Sequence, residues 1–252
     1  MKSFITTFLL SALFLGTGLA EDDLKLFELR TYHANEGKLD ALHARFRDHT
    51  MAIFEKHGMT NLIYWAPEEN EGNQLVYLLG YPSLEAREAA WKAFRDDPAW
   101  KSAYKSSTAD GKLVGKVDSR FLNLTDYSPA ISSLKADESK IYEMRQYTTN
   151  LGKLIKLDAR FRDHTVGLFE KHGITNLAYF HLADNQEGAS TTLLYFISAP
   201  SEEARNASFK AFGSDPAWTK ARDESQSDGE KLLIKGGVQS TFLRSTDYSP
   251  VK

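Results

Sequence analysis

Cysteine is absent from all 252 residues. No disulfide can brace this chain, no thiolate can act as nucleophile or metal ligand, and no lipid can be attached through sulfur. The sequence also lacks H-E-x-x-H, G-x-S-x-G and any carboxylate cluster at ligand spacing. These absences leave no signature of zinc-peptidase or serine-hydrolase chemistry and no metal site. Neither sign of charge dominates, with 31 Lys+Arg against 34 Asp+Glu, interspersed, for a net charge of −3. Without a basic stripe to neutralise phosphates, nucleic acid and anionic membranes are excluded as expected partners.

The first 20 residues differ from the rest. Lys2 gives a short positive end, Phe4 to Leu15 an apolar run, and Gly18-Leu19-Ala20 a small-x-small site before acidic Glu21-Asp22-Asp23. The run is too short to span a bilayer comfortably. The pattern predicts a cleaved export signal over residues 1–20, hence a periplasmic or secreted protein with no membrane segment after cleavage.

What fills the remainder is a long repeat. Glu28 to Tyr64 reads E-L-R-T-Y, G-K-L, A-R-F-R-D-H-T, F-E-K-H-G and T-N-L-I-Y, and Glu143 to Tyr179 returns E-M-R-Q-Y, G-K-L, A-R-F-R-D-H-T, F-E-K-H-G and T-N-L-A-Y 115 positions later. A repeat of this length is a whole small domain, not one turn of a solenoid. The chain therefore divides into a first lobe at 24–129, a linker at 130–139 and a second lobe at 140–250.

Within the first lobe, Leu24 to His33 alternates with period two and predicts a strand. A helix follows with Leu39, Leu42, Phe46, Ile53 and Phe54 on its apolar stripe, ended by Gly58 as a left-handed cap. Two strands, Met59 to Trp65 and Gln74 to Gly80, flank a polar turn. Ser83 then caps a second helix, Asp97-Pro98 restarts it, and Val117 to Leu124 is the closing strand. The order β-α-β-β-α-β is the ferredoxin-like pattern, and the second lobe repeats it. Such a sheet carries helices on one face only. Its other face, expected to present Leu26, Tyr32, Tyr77 and the Tyr64–Trp65 region, is too apolar for water and predicts lobe-on-lobe pairing within the chain. Further association of whole barrels is left open.

The E-x-R-x-Y strand, the glycine-lysine-leucine helix start, the Y-P-S-x-E-A-R segment and the D-P-A-W turn together resemble the NIPSNAP domain family of the dimeric α+β barrel superfamily, over essentially the whole mature chain. The resemblance implies an α+β fold, two ferredoxin-like sheets packed face to face as one barrel. It implies no cofactor and no assigned reaction. Relatives in the superfamily include cofactor-independent monooxygenases and haem proteins, and on that analogy alone an axial ligand would fall to His49 or His164.

Candidate site residues come from both copies. Glu28, Arg30 and Tyr32 share one side of the first strand, as do Glu143, Arg145 and Tyr147. Buried together, they form either a structural ion pair or a polar floor for an anionic or carbonyl-bearing ligand. Helical projection places His49, and by repetition His164, on the sheet-facing stripe, where a histidine is a core residue or a general base. Arg45 and Arg47 are expected to solvate the edges of that stripe. His57 and His172, one residue before glycine, are expected to complement the carbonyl end of the helix. The leading expectation is a small, partly apolar ligand in a barrel pocket; the rivals are a cofactor-independent oxygenase or isomerase with His49 or His164 as base, and a structural module without ligand.

Overall fold

The computed structural model describes residues 23–227 and 229–251. The expected export signal lies outside them. In the first lobe, strand β1 (Leu26–Ala34) leads to helix α1 (Leu39–Arg45), which continues through a π-helical turn (Phe46–Thr50) into α2 (Met51–Lys56). Strands β2 (Thr60–Pro67) and β3 (Gln74–Tyr81), helices α3 (Leu84–Asp96) and α4 (Pro98–Ser107), and strand β4 (Val114–Leu124) complete it. The second lobe follows the same course: β5 (Ile141–Thr149), α5 (Leu154–Arg160), a π turn (Phe161–Thr165), α6 (Val166–Lys171), β6 (Thr175–Leu182), β7 (Thr192–Ala199), α7 (Glu202–Gly213), α8 (Pro216–Ser225) and β8 (Leu233–Ser245).

Local chemistry sets these boundaries. Ser83 and Ser201 accept from the backbone amides of Ala86 and Ala204 and open α3 and α7. Asp97 and Asp215 cap α4 and α8, with proline at the first helical position, where no amide hydrogen is required. Gly58 and Gly173 end α2 and α6 at φ of 79° and 76°, a left-handed conformation in which a Cβ would be strained.

Each lobe has strand order 4-1-3-2, and the lobes join edge to edge to form a closed antiparallel barrel. β2 pairs with β8 from Trp65↔Ser245 to Pro67↔Leu243, and β4 with β6 from Leu122↔Leu182 to Leu124↔Phe180. Closure rests on these two three-residue seams, one at the end of each edge strand. Phe27, Leu29, Trp65, Leu78 and Leu122 meet Phe180, Leu194, Phe196 and Leu243 inside the barrel. Trp65 stacks on Phe196 with centroids 4.8 Å apart, and Phe27 meets Phe180 edge-on at 5.4 Å. The interior is a packed core.

The facing of the first strand corrects the sequence expectation. Leu26 and Tyr32 belong to the cluster between sheet and helices, with Tyr64 and Tyr77, while Phe27 and Leu29 point into the barrel. Both faces of β1 carry apolar residues, so period two fixes the alternation without fixing which side is inward. The deciding factor is polarity: the interior offers Glu28 and Arg30 no partners, whereas the helical side does.

Each lobe's closing Asp-Tyr-Ser-Pro segment lies against the other lobe. Ser249 Oγ accepts from the Tyr64 amide and Ser128 Oγ from the Tyr179 amide. Arg47 holds Asp247, and Arg162 holds Asp126, in two-pronged ion pairs. Tyr248 Oη bonds His43 at 2.7 Å, and Tyr127 Oη donates to Asp158 at 2.7 Å. These reciprocal straps fix the two lobes as one body. Among the described residues no helix is long and apolar enough to cross a membrane.

Candidate functional site

On the helical face of β1, Glu28 is fully buried. Arg87, from the first turn of α3, reaches it with two donors: Nε to Oε2 at 3.0 Å and Nη2 to Oε1 at 2.8 Å. Ser119 from β4 donates at 2.7 Å, Tyr81 and Trp91 each donate at 3.2 Å, and Arg30 donates through Nη1. Burial alone would raise the Glu28 carboxyl. The bonds from Arg87 and Ser119 and the charges of Arg30 and Arg87 outweigh it and hold the group at about 2. Arg30 is the complement: its Nε donates to Tyr77 Oη at 3.0 Å and its guanidinium lies 4.5 Å from the Trp91 ring.

The second lobe rebuilds the cluster with fewer donors. Glu143 accepts from Arg205 at 2.6 and 2.5 Å, and from Arg145 and Ser240. Ala199 and Phe209 stand where Tyr81 and Trp91 stand in the first lobe. Its carboxyl is likewise held low, because bonding to Arg205 and the charge of Arg145 overcome burial. Each Glu28 oxygen accepts three bonds, whereas Glu143 accepts three on Oε1 and one on Oε2, so the four ionic residues act first as clamps between sheet and helices. Arg87 and Arg205 complete them. Their signal in the sequence was an arginine four residues after each Ser N-cap, on the helix face turned toward the sheet.

His49 and His164 do not face the sheet. Both are exposed, and Thr50 and Thr165 occupy the inward position. The π turn causes this: one extra residue is taken into the turn, so the stripe resumes one position later than a 3.6-residue count predicts. Thr50 Oγ1 and Thr165 Oγ1 donate to the carbonyls of Arg45 and Arg160, five residues back. His57 and His172 do sit at helix ends, where each ring also bonds the capping aspartate of the next helix pair, Asp97 at 2.7 Å and Asp215 at 2.8 Å.

Arg45, expected at an edge, and its counterpart Arg160 are buried as well, at 5% and 6% exposure, in the turn just before each π turn. Arg45 lies over Trp100 and Tyr104, and Arg160 lies 5.1 Å from the Trp218 ring. Among the described residues each donates only a long bond to a helix-end serine, Ser107 at 3.4 Å or Ser225 at 3.3 Å, and neither Nε has a partner. Burial lowers the pKa of both guanidinium groups, with tyrosines as their opposing influence.

Each of these arginines opens into a pocket between the first strand, the fourth helix of the lobe and the last strand. The first-lobe pocket, about 220 Å³, is lined by Tyr32, Arg45, Trp100, Tyr104 and β4. Its counterpart, about 550 Å³, is lined by Tyr147, Arg160, Trp218, Arg222 and β8. Of the residues singled out from sequence, Tyr32 and Tyr147 therefore reach pockets. Glu28, Arg30, Glu143 and Arg145 sit behind them, with Arg145 Nη2 donating to Tyr147 Oη at 3.1 Å. His49 and His164 line neither pocket.

The NIPSNAP family profile matches twice, over residues 27–129 and 142–250. The chain belongs to the NIPSNAP family. A NipSnap homologue of Dictyostelium discoideum is 27% identical over 153 residues, 60% of this chain and 60% of the relative, so the match spans less than two-thirds of that relative's length. Two solved structures, from Fusobacterium nucleatum and Lactobacillus acidophilus and each named provisionally as a monooxygenase, align over 91% and 90% of this chain and 95% and 96% of theirs. Both have TM-scores of 0.56, with identities of 12% and 9%. They establish the fold alone: a tandem NIPSNAP chain makes within itself the α+β barrel.

Proposed function

We propose that this tandem NIPSNAP protein is an exported binder of a small, partly apolar molecule, held between sheet and helices rather than inside the barrel. The observation that carries this reading is the 550 Å³ pocket over Tyr147, Arg160 and Trp218, beside a barrel interior occupied by side chains. Its walls combine two aromatic rings and aliphatic residues of β8 with convergent polar groups, the composition of small-molecule sites. The rival oxygenase or isomerase reading relied on His49 or His164 as a sheet-facing base, and their outward placement takes that support away. Export rests on the N-terminal sequence pattern.

Native mass spectrometry of the chain purified from an exporting host tests the proposal. A co-purifying small molecule that survives gentle desolvation and is lost on denaturation supports it. A protein that stays bare from every preparation and binds no apolar probe favours the module without ligand.

A further inference from the structure

The two copies of the pocket differ in a way that names a ligand class. In the first lobe, Val114 pairs with Ala34 and Val117 with Tyr32. In the second, Leu233 pairs with Thr149 and Val238 with Tyr147. Between those matched pairs β4 has Gly115-Lys116, while β8 has Ile234-Lys235-Gly236-Gly237, two residues more. The surplus forms a bulge that only glycine permits. Gly236 has φ +74°, and a Cβ on Gly237 would lie 2.5 Å from the Thr148 carbonyl oxygen. At the fourth-helix position, Tyr104 of the first lobe becomes Arg222 of the second. Bulge and exchange together accompany the larger volume.

Charge is the second difference. Arg160, Arg222, Lys231 and Lys235 line the second pocket, and among the described residues no carboxylate does. Arg222 bonds the neighbouring Asp223 at 2.8 Å, on the exposed side of α8. Arg160 is the informative member. Comparably buried Arg145 is neutralised by Glu143, whereas Arg160 has no acidic partner among the described residues and leaves Nε unbonded. An uncompensated guanidinium on a residue only 6% exposed is unfavourable, and Arg222 adds repulsion. An anion entering the pocket relieves both.

Beyond the cations, the rim is apolar. Ile234 and Val238 are 43% and 44% exposed, next to Leu233 and Trp218. We propose, building on the small-molecule reading above, that the second-lobe pocket binds an organic carboxylate, its head group on Arg160 and its apolar body along Trp218, Leu233, Ile234 and Val238. The narrower first-lobe pocket does not, so one chain holds one ligand. Arg is suited to this task because its planar fork meets both carboxylate oxygens.

Isothermal titration of the purified chain at low salt with octanoate, octanol and octylamine tests the proposal. Octanoate is expected to bind one per chain, at least about tenfold more tightly than octanol, with octylamine weaker still, since a charge-assisted hydrogen bond is roughly twice as strong as a neutral one. Arg160→Met is expected to bring octanoate down to the octanol level. Should that variant fold poorly, Lys231→Gln with Lys235→Gln, both surface changes, is expected to weaken octanoate several-fold and flatten its salt dependence. Equal binding of octanoate and octanol, or undiminished octanoate binding by Arg160→Met, overturns the carboxylate assignment and leaves the small-molecule reading standing. Two equivalent sites per chain overturn the assignment to the second lobe. Binding of none of the three probes overturns both readings together.

Discussion

Replacing Glu28 with Gln keeps the shape of the side chain and removes the charge that Arg30 and Arg87 share. The magnitude follows from the titration of the site. Holding this carboxyl at about 2 instead of the usual 4.5 contributes about 3 kcal/mol at neutral pH, at about 1.4 kcal/mol per pH unit. A second route agrees: removing one partner of a buried ion pair costs about 3–5 kcal/mol because the remaining cation is stranded. Since the folded pKa is the depressed one, the contribution is fully present above pH 4.5 and disappears as pH falls toward 2. Urea unfolding followed by tryptophan fluorescence should show Glu28→Gln about 3 kcal/mol less stable than the parent at pH 7, with the gap reduced to roughly half by pH 3. A gap below about 1 kcal/mol at pH 7, or one that stays constant with pH, refutes the claim that this carboxylate clamps α3 to the sheet.

Three further outcomes follow from the same structure. Arg160→Met should leave the ligand-free protein as stable as the parent or more so, within about 1 kcal/mol in thermal unfolding, because it removes a buried charge that has no counter-ion among the described residues; a loss of several kcal/mol would show the residue to be a structural support for Trp218. Gly237→Ala should cost about 1–3 kcal/mol, and an unperturbed melting curve would mean that the β8 bulge is not sterically fixed. Trp65→Ala, in the packed barrel between the lobes, should cost about 3–5 kcal/mol and unfold both halves in one transition; two separated transitions would contradict the single fused core.

Much of this fold could be read from the residues because its signals are local. Ser83, Asp97-Pro98 and Gly58 mark ends of helices through hydrogen bonds and backbone angles that depend on near neighbours, and the repeat supplies each signal twice. The face of β1 turned toward the barrel was not legible, because Phe27-Leu29 and Leu26-Tyr32 are comparably apolar and only tertiary partners decide between them. The π turn was equally silent. Nothing in A-R-F-R-D-H-T announces an extra residue in the turn, yet that residue sends His49 and His164 outward. The ion pairs of Glu28 with Arg30 and Glu143 with Arg145 were visible as neighbours on one strand face, whereas Arg87 and Arg205 come from helices whose docking angle no periodicity reports. The glycine pair of β8 is plain when the copies are aligned, but its meaning requires the pairing register.

A crystal structure of the chain soaked with octanoate bears most directly on the proposal that this NIPSNAP barrel carries an organic anion in its second lobe. Density is expected in the pocket of α8 and β8, with carboxylate oxygens within hydrogen-bond distance of Arg160 and the alkyl chain against Trp218 and Ile234. A bare second-lobe pocket at full soaking, or a ligand seated with its tail at Arg160 and its carboxylate in solvent, would contradict the proposal.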